Sequence, residues 1–174
     1  MTMCDLPQKV LTVLTQVQAF MASRGVACYL VGGVLRDQLL GRPLRYLNVD
    51  LAVPAGALSL SSQLAQELGG AFVPLDEVAG TARIVVGGVG ERIELDVSDF
   101  RGATLDEDLH HRDFTINAMA ISLDVWLRHA AHPAPLIDPL GGQTALTSRT
   151  LVACCAGTFE DDPVRILRAF RFSA

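Results

Sequence analysis

Acidic and amide side chains at alternate positions of two apolar segments are the groups in this 174-residue chain best suited to chemistry. Asn48 and Asp50 lie two apart in one segment, and Glu94 and Asp96 lie two apart in the other. Because side chains alternate along a strand, the members of each pair share one face. Carboxylates placed in this way on neighbouring strands can hold two magnesium ions roughly 4 Å apart for phosphoryl transfer. The more ordinary interpretation of any single acidic residue on a strand is exposure to solvent.

A pair of glycines, Gly32 and Gly33, follows a third apolar segment and precedes a short helical pattern. Glycine lets backbone N–H groups approach a phosphate closely, and a helix N-terminus adds positive potential. Arg36 could then contact the same phosphate, with Asp37 beside it. Each feature also has a structural interpretation, because strand-to-helix turns often need glycine and an Arg-Asp pair is often a surface ion pair. The spacing does not match the Gly-x-Gly-x-x-Gly of dinucleotide-binding folds.

The composition indicates a folded protein rather than a general nucleic-acid binder. Half of the residues are hydrophobic and 19% are charged, so a packed core is expected. The net charge of -5 and the isoelectric point near 5.2 oppose indiscriminate binding to RNA, which would require a local basic patch. His110 and His111 are adjacent, but no other Cys or His lies at ligand spacing, so zinc is not expected.

Nothing in the sequence indicates secretion or a membrane partner. The chain has no signal-peptide pattern and no apolar run of ~18 residues, so we expect a cytoplasmic location. Its four cysteines, Cys4, Cys28, Cys154 and Cys155, show no Cys-x-x-Cys spacing. We therefore expect free thiols, as in a reducing compartment.

Alternating strand and helix patterns predict an α/β or α+β fold around one sheet. Helical spacing of apolar residues predicts helices over 6–24, 34–40 and 58–68. Short apolar runs between turn signals predict strands over 26–31, 47–53, 71–75, 82–86 and 92–100. Further on, we expect a charged helical turn over 105–112 that can continue through 114–121, a turn over 136–142, and a short strand over 150–154.

A last helix is predicted from Phe159 to Ala174, with three acidic residues beside Pro163 in its first turn. Its apolar positions, which need a partner, are Ile166, Leu167, Phe170 and Phe172. The helix has no cap or stop signal, so the chain looks truncated at the entry to a helical domain. We expect Ile166, Leu167 and Phe170 to be partly exposed and to favour self-association.

Five motifs together resemble one family in their order and spacing. They are Gly-Gly-x-x-Arg-Asp at 32–37, Asn-Val-Asp-Leu at 48–51, Arg-Asp-Phe-Thr-Ile-Asn-Ala at 112–118, Asp-Pro-Leu-Gly-Gly at 138–142 and Glu-Asp-Asp-Pro-Val-Arg-Ile-Leu-Arg at 160–168. The family is that of the class II tRNA nucleotidyltransferases and bacterial poly(A) polymerases, which includes CCA-, CC-, A- and poly(A)-adding enzymes. The resemblance extends from Tyr29 to Phe172.

This resemblance implies a fold and a role for each motif. The fold would be a polymerase-β-like head with a mixed sheet flanked by helices over 1–145, followed over 146–174 by a link and the first helix of a helical neck. Gly32, Gly33 and Arg36, with Asp37, would hold a triphosphate, and positions 48, 50 and 96 would bind metal. Arg112, Asp113 and Asn117 would lie beside the ribose and triphosphate, and Asp162 and Arg165 would read the Watson–Crick edge of the base.

The implied activity is template-independent addition of C, A or both, from CTP and ATP, to an RNA 3′ end, expected to be that of tRNA. The implied mechanism is two-metal phosphoryl transfer with Mg²⁺. Which nucleotides are added stays open, because the family's members share these head motifs. Much of the RNA contact would come from domains outside this chain.

Two residues depart from the family's pattern. His111 replaces an arginine that would contact phosphate or RNA, and Asn48 replaces the first metal-binding aspartate. A neutral amide bridges two cations poorly, and losing one bridging carboxylate could cost ~3 kcal/mol, about a hundredfold in rate. The alternative hypothesis is therefore a catalytically weakened module that still binds nucleotide or RNA.

Overall fold

The computed structural model describes residues 7–42, 48–88, 92–128 and 135–173. The strands are β1 (Tyr29–Val31), β2 (Asn48–Val53), β3 (Ala71–Asp76), β4 (Thr81–Val86), β5 (Ile93–Asp99) and β6 (Ala120–Ser122). The helices are α1 (Gln8–Ser23), α2 (Gly33–Leu39), α3 (Ala57–Glu67), α4 (Leu105–His110), α5 (Leu123–Arg128), α6 (Gly142–Thr147), α7 (Thr158–Asp161) and α8 (Val164–Ser173), with a 3₁₀ turn over Thr115–Asn117.

The described strands form one mixed sheet in the order β3-β4-β5-β2-β1-β6. β2 and β5 are parallel neighbours at its centre, whereas the other pairs are antiparallel. The register places Asn48 beside Glu94 and Asp50 beside Asp96. Alternation along the two strands therefore brings all four polar side chains to one face of the sheet, as the sequence predicts.

The opposite face of the sheet carries the main core. Val49, Leu51 and Val53 of β2 pack there with Ile93, Leu95 and Val97 of β5 and with the apolar sides of α1 and α3. Burying one such side chain stabilises the fold by about 1.5–3 kcal/mol. The apolar face therefore fixes the register of β2 with β5, and that register places the polar residues on the opposite face. A one-residue slip would exchange the two faces.

Residues 114–121 do not continue α4 as a helix, so that prediction is wrong. Phe114 bridges Ala153, and the Thr115 N–H donates to the Val152 carbonyl, so tertiary pairing ends the helix. A single 3₁₀ turn follows, and Ala120–Ser122 then joins the sheet as β6 beside β1. The strand predicted over 150–154 is reduced to that one bridge with Phe114.

The last predicted helix is two helices, α7 and α8, because Asp162 is extended (φ -151°, ψ 98°) immediately before Pro163. Proline disfavours helical backbone in the residue before it and donates no N–H of its own. Two short helices, α5 and α6, were not predicted. α6 begins where the Asp138 carboxylate accepts the N–H groups of Gly142 and Gln143.

Four further predictions can be placed only in part. Cys28, Cys154 and Cys155 are free thiols, whereas Cys4 lies outside the described residues. Three predicted element ends also lie outside them, namely Leu6 of the first helix, Leu47 of β2 and Ala174 of the last helix. Among the described helices, none combines the length and apolar character that crossing a bilayer requires.

Candidate functional site

A cleft of about 430 Å³ opens over the polar face of the sheet. It is bordered by the β1–α2 turn, β2, β5, the segment around the 3₁₀ turn, and α8. The predicted site residues that line it are Gly32, Gly33, Arg36, Asp50, Asp96, Arg112, Asp113, Asn117, Asp162 and Arg165. Asn48 and Asp37 do not line the cleft, but each hydrogen-bonds a residue that does. The structure thus brings the predicted residues to one place.

Gly32 brings the β1–α2 turn against Asp50. Its φ of 73° lies in the left-handed region, and a Cβ at this position would stand 2.5 Å from Asp50 Oδ2. Only glycine therefore suits the position. The Gly33 N–H hydrogen-bonds the same carboxylate, but burial and the nearby charge of Asp96 dominate and raise the pKa of Asp50.

Asp96 is held by an arginine that sequence reasoning missed. Arg83 lies opposite Asp96 in the β4–β5 register and donates from Nε to Oδ1 at 2.7 Å and from Nη2 to Oδ2 at 2.8 Å. Its Nη1 also contacts Glu94 Oε2 at 2.6 Å. The hydrogen bond to Asp96 raises the pKa of Arg83. The signal that could have found it is that Arg83 is the one charged residue of β4 and lies at a polar-face position.

Asn48 completes this corner of the site. Its Nδ2 donates to Asp96 Oδ2 at 3.4 Å, a contact that an aspartate at this position could not donate. Its Oδ1 is buried, and no group among the described residues hydrogen-bonds it. The amide oxygen is therefore available as a ligand.

Arg112 is fixed by a buried ion pair. Its Nε and Nη2 donate to Asp108 Oδ2 at 3.0 and 2.7 Å, and Asp108 is only 1% exposed. The other Asp108 oxygen accepts the Arg101 N–H. Thr104 accepts the Glu107 N–H and so caps the helix, α4, that carries Asp108.

A hydrogen-bonded relay connects Arg36 to Asp113. Arg36 Nη1 donates to Asn117 Oδ1 at 2.8 Å, and Asn117 Nδ2 donates to Asp113 Oδ1 at 3.2 Å. Asp113 Oδ1 also accepts the Phe114 N–H at 2.8 Å. At the other end, Arg36 Nε donates to Asp37 Oδ1 at 3.0 Å. The relay therefore orients the Arg36 guanidinium toward the cleft before any ligand binds.

α8 contributes the opposite side of the cleft. Asp162 caps the helix by accepting the Val164 N–H. Arg165 donates to the main-chain carbonyls of His111, Arg112 and Thr158, and its Nε lies 3.8 Å from Asp162 Oδ2. The two predicted base-reading residues are therefore neighbours, with Arg165 anchored to the backbone behind the cleft.

Arg168 and Phe172 also line the cleft and were not predicted as site residues. Arg168 Nη2 contacts Asp113 Oδ2 at 2.8 Å. The Phe172 ring packs edge-on against Phe114 at 5.7 Å and lies 5.0 Å from the Arg36 guanidinium. Phe172, which the sequence predicts to need an apolar partner, thus has one in Phe114. Ile166, Leu167 and Phe170 are exposed, as predicted.

The cleft is positively charged although the chain is acidic. Six arginines line it, at 36, 101, 112, 165, 168 and 171, against four aspartates, at 50, 96, 113 and 162. Burial and the charges of Arg112 and Arg165 lower the pKa of Arg101. This is the local basic patch that the composition requires for a polyanionic ligand.

The candidate cation ligands are two carboxylates and one amide. Within the described ranges, no three His, Cys, Asp or Glu side chains are grouped so that they could hold a metal. Asp50, Asp96 and Asn48 instead offer oxygen ligands from three side chains at neighbouring positions of β2 and β5. Oxygen ligands of this kind suit a hard divalent cation.

Comparison with known proteins gives one consistent result. Residues 28–152 match the family described as the poly A polymerase head domain. The chain is 43% identical over 150 residues to the CC-adding tRNA nucleotidyltransferase of Geobacter sulfurreducens, a match that covers 86% of this chain and 32% of that protein. It is 37% identical over 159 residues to the A-adding tRNA nucleotidyltransferase of Aquifex aeolicus, covering 83% of this chain and 18% of that protein.

Among solved structures, the CCA-adding enzyme of Thermotoga maritima complexed with tRNA is 34% identical, with a TM-score of 0.77. That match covers 96% of this chain and 38% of the other. The similarity confirms the predicted fold class, a mixed sheet flanked by helices. The chain spans about a third or less of the length of the curated relatives described here.

Proposed function

The chain belongs to the family of poly(A) polymerase head domains, and on that premise we propose that it is the catalytic head of an RNA nucleotidyltransferase. It adds C, A or both from CTP and ATP to an RNA 3′ end, and the names of its relatives favour tRNA. The observation that carries this proposal is a single cleft where the adjacent carboxylates of Asp50 and Asp96 face a wall of arginines. Phosphoryl transfer depends on such positioning and charge.

The triphosphate binds on the arginine side of the cleft. Gly32 and Gly33 present backbone without side chains, so a phosphate can approach closely. Arg36 and Arg112 are already oriented by Asn117 and Asp108, respectively. Because these guanidiniums need little reordering, less binding free energy is lost when the nucleotide enters. Asp113 and Asn117, which hold the relay together, then lie beside the ribose and triphosphate.

The corner formed by Asn48, Asp50 and Asp96 fits a divalent cation, which we propose to be Mg²⁺. Burial and the neighbouring charge of Asp96 raise the pKa of Asp50, a cation there would stabilise its charged form, and the buried Asn48 Oδ1 supplies a further ligand. When bound, Mg²⁺ lowers the pKa of the attacking 3′-hydroxyl and neutralises charge on the phosphates.

The base is selected on the α8 side. Cytosine and adenine each present an amino donor and a ring-nitrogen acceptor on the edge that pairs, which suits a carboxylate beside a guanidinium. Asp162 accepts from the amino group, and Arg165 donates to the ring nitrogen. Uracil and guanine present the opposite pattern and are disfavoured. The carbonyls that anchor Arg165 keep its guanidinium beside Asp162.

Position 48 decides how active this head is. An asparagine there removes one bridging charge, and the alternative function is a weakened nucleotide- or RNA-binding module. The relatives described here are all named as nucleotide-adding enzymes, which favours the enzyme. The enzyme transfers nucleotides to RNA and the binding module does not, so a measurement of the transfer rate distinguishes the two functions.

The first experiment measures equilibrium binding of the four nucleoside triphosphates to the chain in the presence of Mg²⁺. CTP and ATP are expected to bind more tightly than GTP and UTP, and Arg36→Ala should weaken CTP binding by about tenfold. The matched control is Arg128→Ala, because Arg128 is exposed and its one ion pair within the described part of the chain is with Asp124 of its own helix. Equal affinity for all four nucleotides would contradict the role of Asp162 and Arg165.

The second experiment measures single-turnover transfer of CTP and ATP, offered separately, to tRNA lacking its 3′ end. It uses the longest natural protein that contains this chain, because the net charge of -5 makes the chain alone a poor RNA binder. Asn48→Asp should raise the rate by about a hundredfold, and Asp50→Asn should abolish transfer. An active Asp50→Asn variant would show that the metal ligands lie elsewhere. No transfer by either the natural protein or Asn48→Asp would favour the binding module.

The proposal also includes the organisation of the chain and its surroundings. Residues 1–145 form the head and 146–174 lead into a helical neck, and the protein acts in the cytoplasm. The exposed apolar residues of α8 associate with a second copy of the chain. Light scattering should then detect a dimer at high concentration that Leu167→Glu removes, and a strictly monomeric profile would contradict this part.

A further inference from the structure

Arg83 occupies both oxygens of a carboxylate that the proposed function assigns to the cation. Its Nε and Nη2 form a two-pronged contact with Asp96 at 2.7 and 2.8 Å. Asn48 Nδ2 adds a third donor to the same carboxylate. A guanidinium and a divalent cation draw on the same carboxylate and repel each other, so each weakens the other's hold on Asp96.

The second carboxylate on the site's floor is different. Asp50 accepts the Gly33 N–H, and among the described residues no arginine lies within ion-pair distance of it. The two neighbouring aspartates are therefore unequal ligands before any cation binds. Asp50 is available at once, whereas Asp96 becomes available only when Arg83 gives it up.

Glu94 gives Arg83 a second acceptor. It lies two residues before Asp96 on the same face of β5, and its Oε2 already contacts Arg83 Nη1 at 2.6 Å. The other Glu94 oxygen is held by Arg92 at 2.8 Å, so the two arginines do not compete for one atom. Arg83 can release Asp96 and still remain paired, which avoids leaving a half-buried guanidinium without a counter-charge.

We propose that Arg83 is a positioning residue that competes with the divalent cation for Asp96 and is retained by Glu94 when the cation binds. The inference rests on the cation site of the proposed function. It makes Arg83 the side chain that sets the affinity of this site. Asp50 binds the cation first, and Asp96 joins when Arg83 moves to Glu94.

The test uses Mn²⁺ as the probe, with free Mn²⁺ followed by electron paramagnetic resonance and no nucleotide or RNA present. Arg83→Gln in the 174-residue chain should bind Mn²⁺ about fivefold more tightly than the natural sequence, because one competing ion pair is removed. Arg92→Gln is the matched control. This variant also removes a positive charge from beside Glu94, but Arg92 does not contact Asp96. The Mn²⁺ affinity of the variant should therefore stay within about twofold of that of the natural chain.

Repeating the substitution in the Asp96→Asn variant distinguishes competition for Asp96 from a general effect of removing a positive charge. In Asp96→Asn, Arg83 has no carboxylate at position 96 to release, so adding Arg83→Gln should leave Mn²⁺ affinity unchanged. If Arg83→Gln is poorly folded by circular dichroism, Arg83→Lys replaces it, and its single-pronged contact should give an affinity gain of about twofold. An equal gain in the Asp96→Asn background would overturn the inference.

The outcomes also distinguish this inference from the cation site itself. If Asp50→Asn abolishes Mn²⁺ binding but Arg83→Gln binds no more tightly than the natural chain, the site stands and the competition is refuted. If neither Asp50→Asn nor Asp96→Asn affects Mn²⁺ binding, the site fails and the inference fails with it. A gain in Arg83→Gln that Asp96→Asn removes and Arg92→Gln does not reproduce supports both.

Discussion

The two sides of the cleft differ in how they are held. The inner wall, formed by Asp108, Arg112, Asp113 and Asn117, is buried, and its charged and amide groups hydrogen-bond one another. The outer wall, formed by Asp162, Arg165 and Arg168, stands on and beside α8, which has no buried residue. Its Asp162 side chain is 47% exposed. One wall is part of the folded core, and the other is attached to it.

On the proposed function, this difference separates two tasks. Phosphate binding needs groups that stay in one geometry, and the inner wall obtains this from burial and mutual hydrogen bonds. Base selection can change between relatives if its residues lie where substitution costs little stability. The outer wall meets that condition, because it touches the core mainly through Arg165, Arg168 and Phe172.

The strongest test of the inner wall is Asp108→Ala. It leaves the Arg112 guanidinium buried without its partner and should lower the free energy of unfolding by about 3–5 kcal/mol. Urea unfolding of the two chains measures the change. Asp124→Ala removes a carboxylate with the same i,i+4 spacing from an exposed pair with Arg128, and should change stability by less than ~0.5 kcal/mol. Similar losses for both would mean that the inner wall is not specially rigid.

The junction between the walls is tested by Phe172→Ala. The ring packs on Phe114 and beside Arg36, so its loss should lower the free energy of unfolding by about 2 kcal/mol and loosen α8. Phe170→Ala is the control, because Phe170 is 70% exposed on the same helix and should change stability by less than ~0.5 kcal/mol. Hydrogen exchange of α8 amides should accelerate in Phe172→Ala alone.

The core on which the inner wall rests should respond to alkaline pH through Cys28. Burial raises its pKa from 9.0 to about 12, so in the folded chain the thiol keeps its proton after the unfolded chain has lost it. The contribution of this thiol to stability is therefore full below pH 9 and is lost as the pH rises toward 12, by up to about 1.4 kcal/mol per pH unit. Urea unfolding at pH 8, 9 and 10 should show this slope.

Cys28→Ala should reduce that slope, and Cys155→Ala, at a half-buried position before α7, serves as the control. The comparison concerns the slopes, since each substitution also changes stability at every pH. Identical slopes in the natural chain and Cys28→Ala would refute the role given to Cys28.

Asp162→Asn is expected to change stability least, although it should clearly change nucleotide binding. The amide keeps a side-chain oxygen for the Val164 N–H, so the cap of α8 is preserved and unfolding should change by less than ~0.5 kcal/mol. The loss of charge should reduce the preference for CTP over UTP by about tenfold. A large fall in the free energy of unfolding, with an unchanged preference for CTP over UTP, would contradict the difference between the two walls.

Most of the polar face could be predicted from the sequence because strand alternation is local. The spacing of Asn48 and Asp50 was enough to place them on one face, whereas the motif around Asp113 was assigned to the same site only through the family resemblance. The helix predicted over 114–121 failed because its 3.6-residue pattern competes with pairing to β1 and to Ala153, which lie far away in sequence. Arg83 was missed for a similar reason, since its importance arises only from the register of β4 with β5.

The parallel pairing of β2 with β5 has a consequence for the order in which the chain folds. Strands β3, β4 and β5 pair antiparallel in sequence order and can assemble by closing short turns, whereas Asp50 meets Asp96 only after a loop of about 46 residues closes. Contacts of such long range form late. Arg83 can thus neutralise Asp96 within the early meander before the second aspartate arrives. Pulse-labelled hydrogen exchange should protect β4 and β5 before β2, and simultaneous protection would contradict this order.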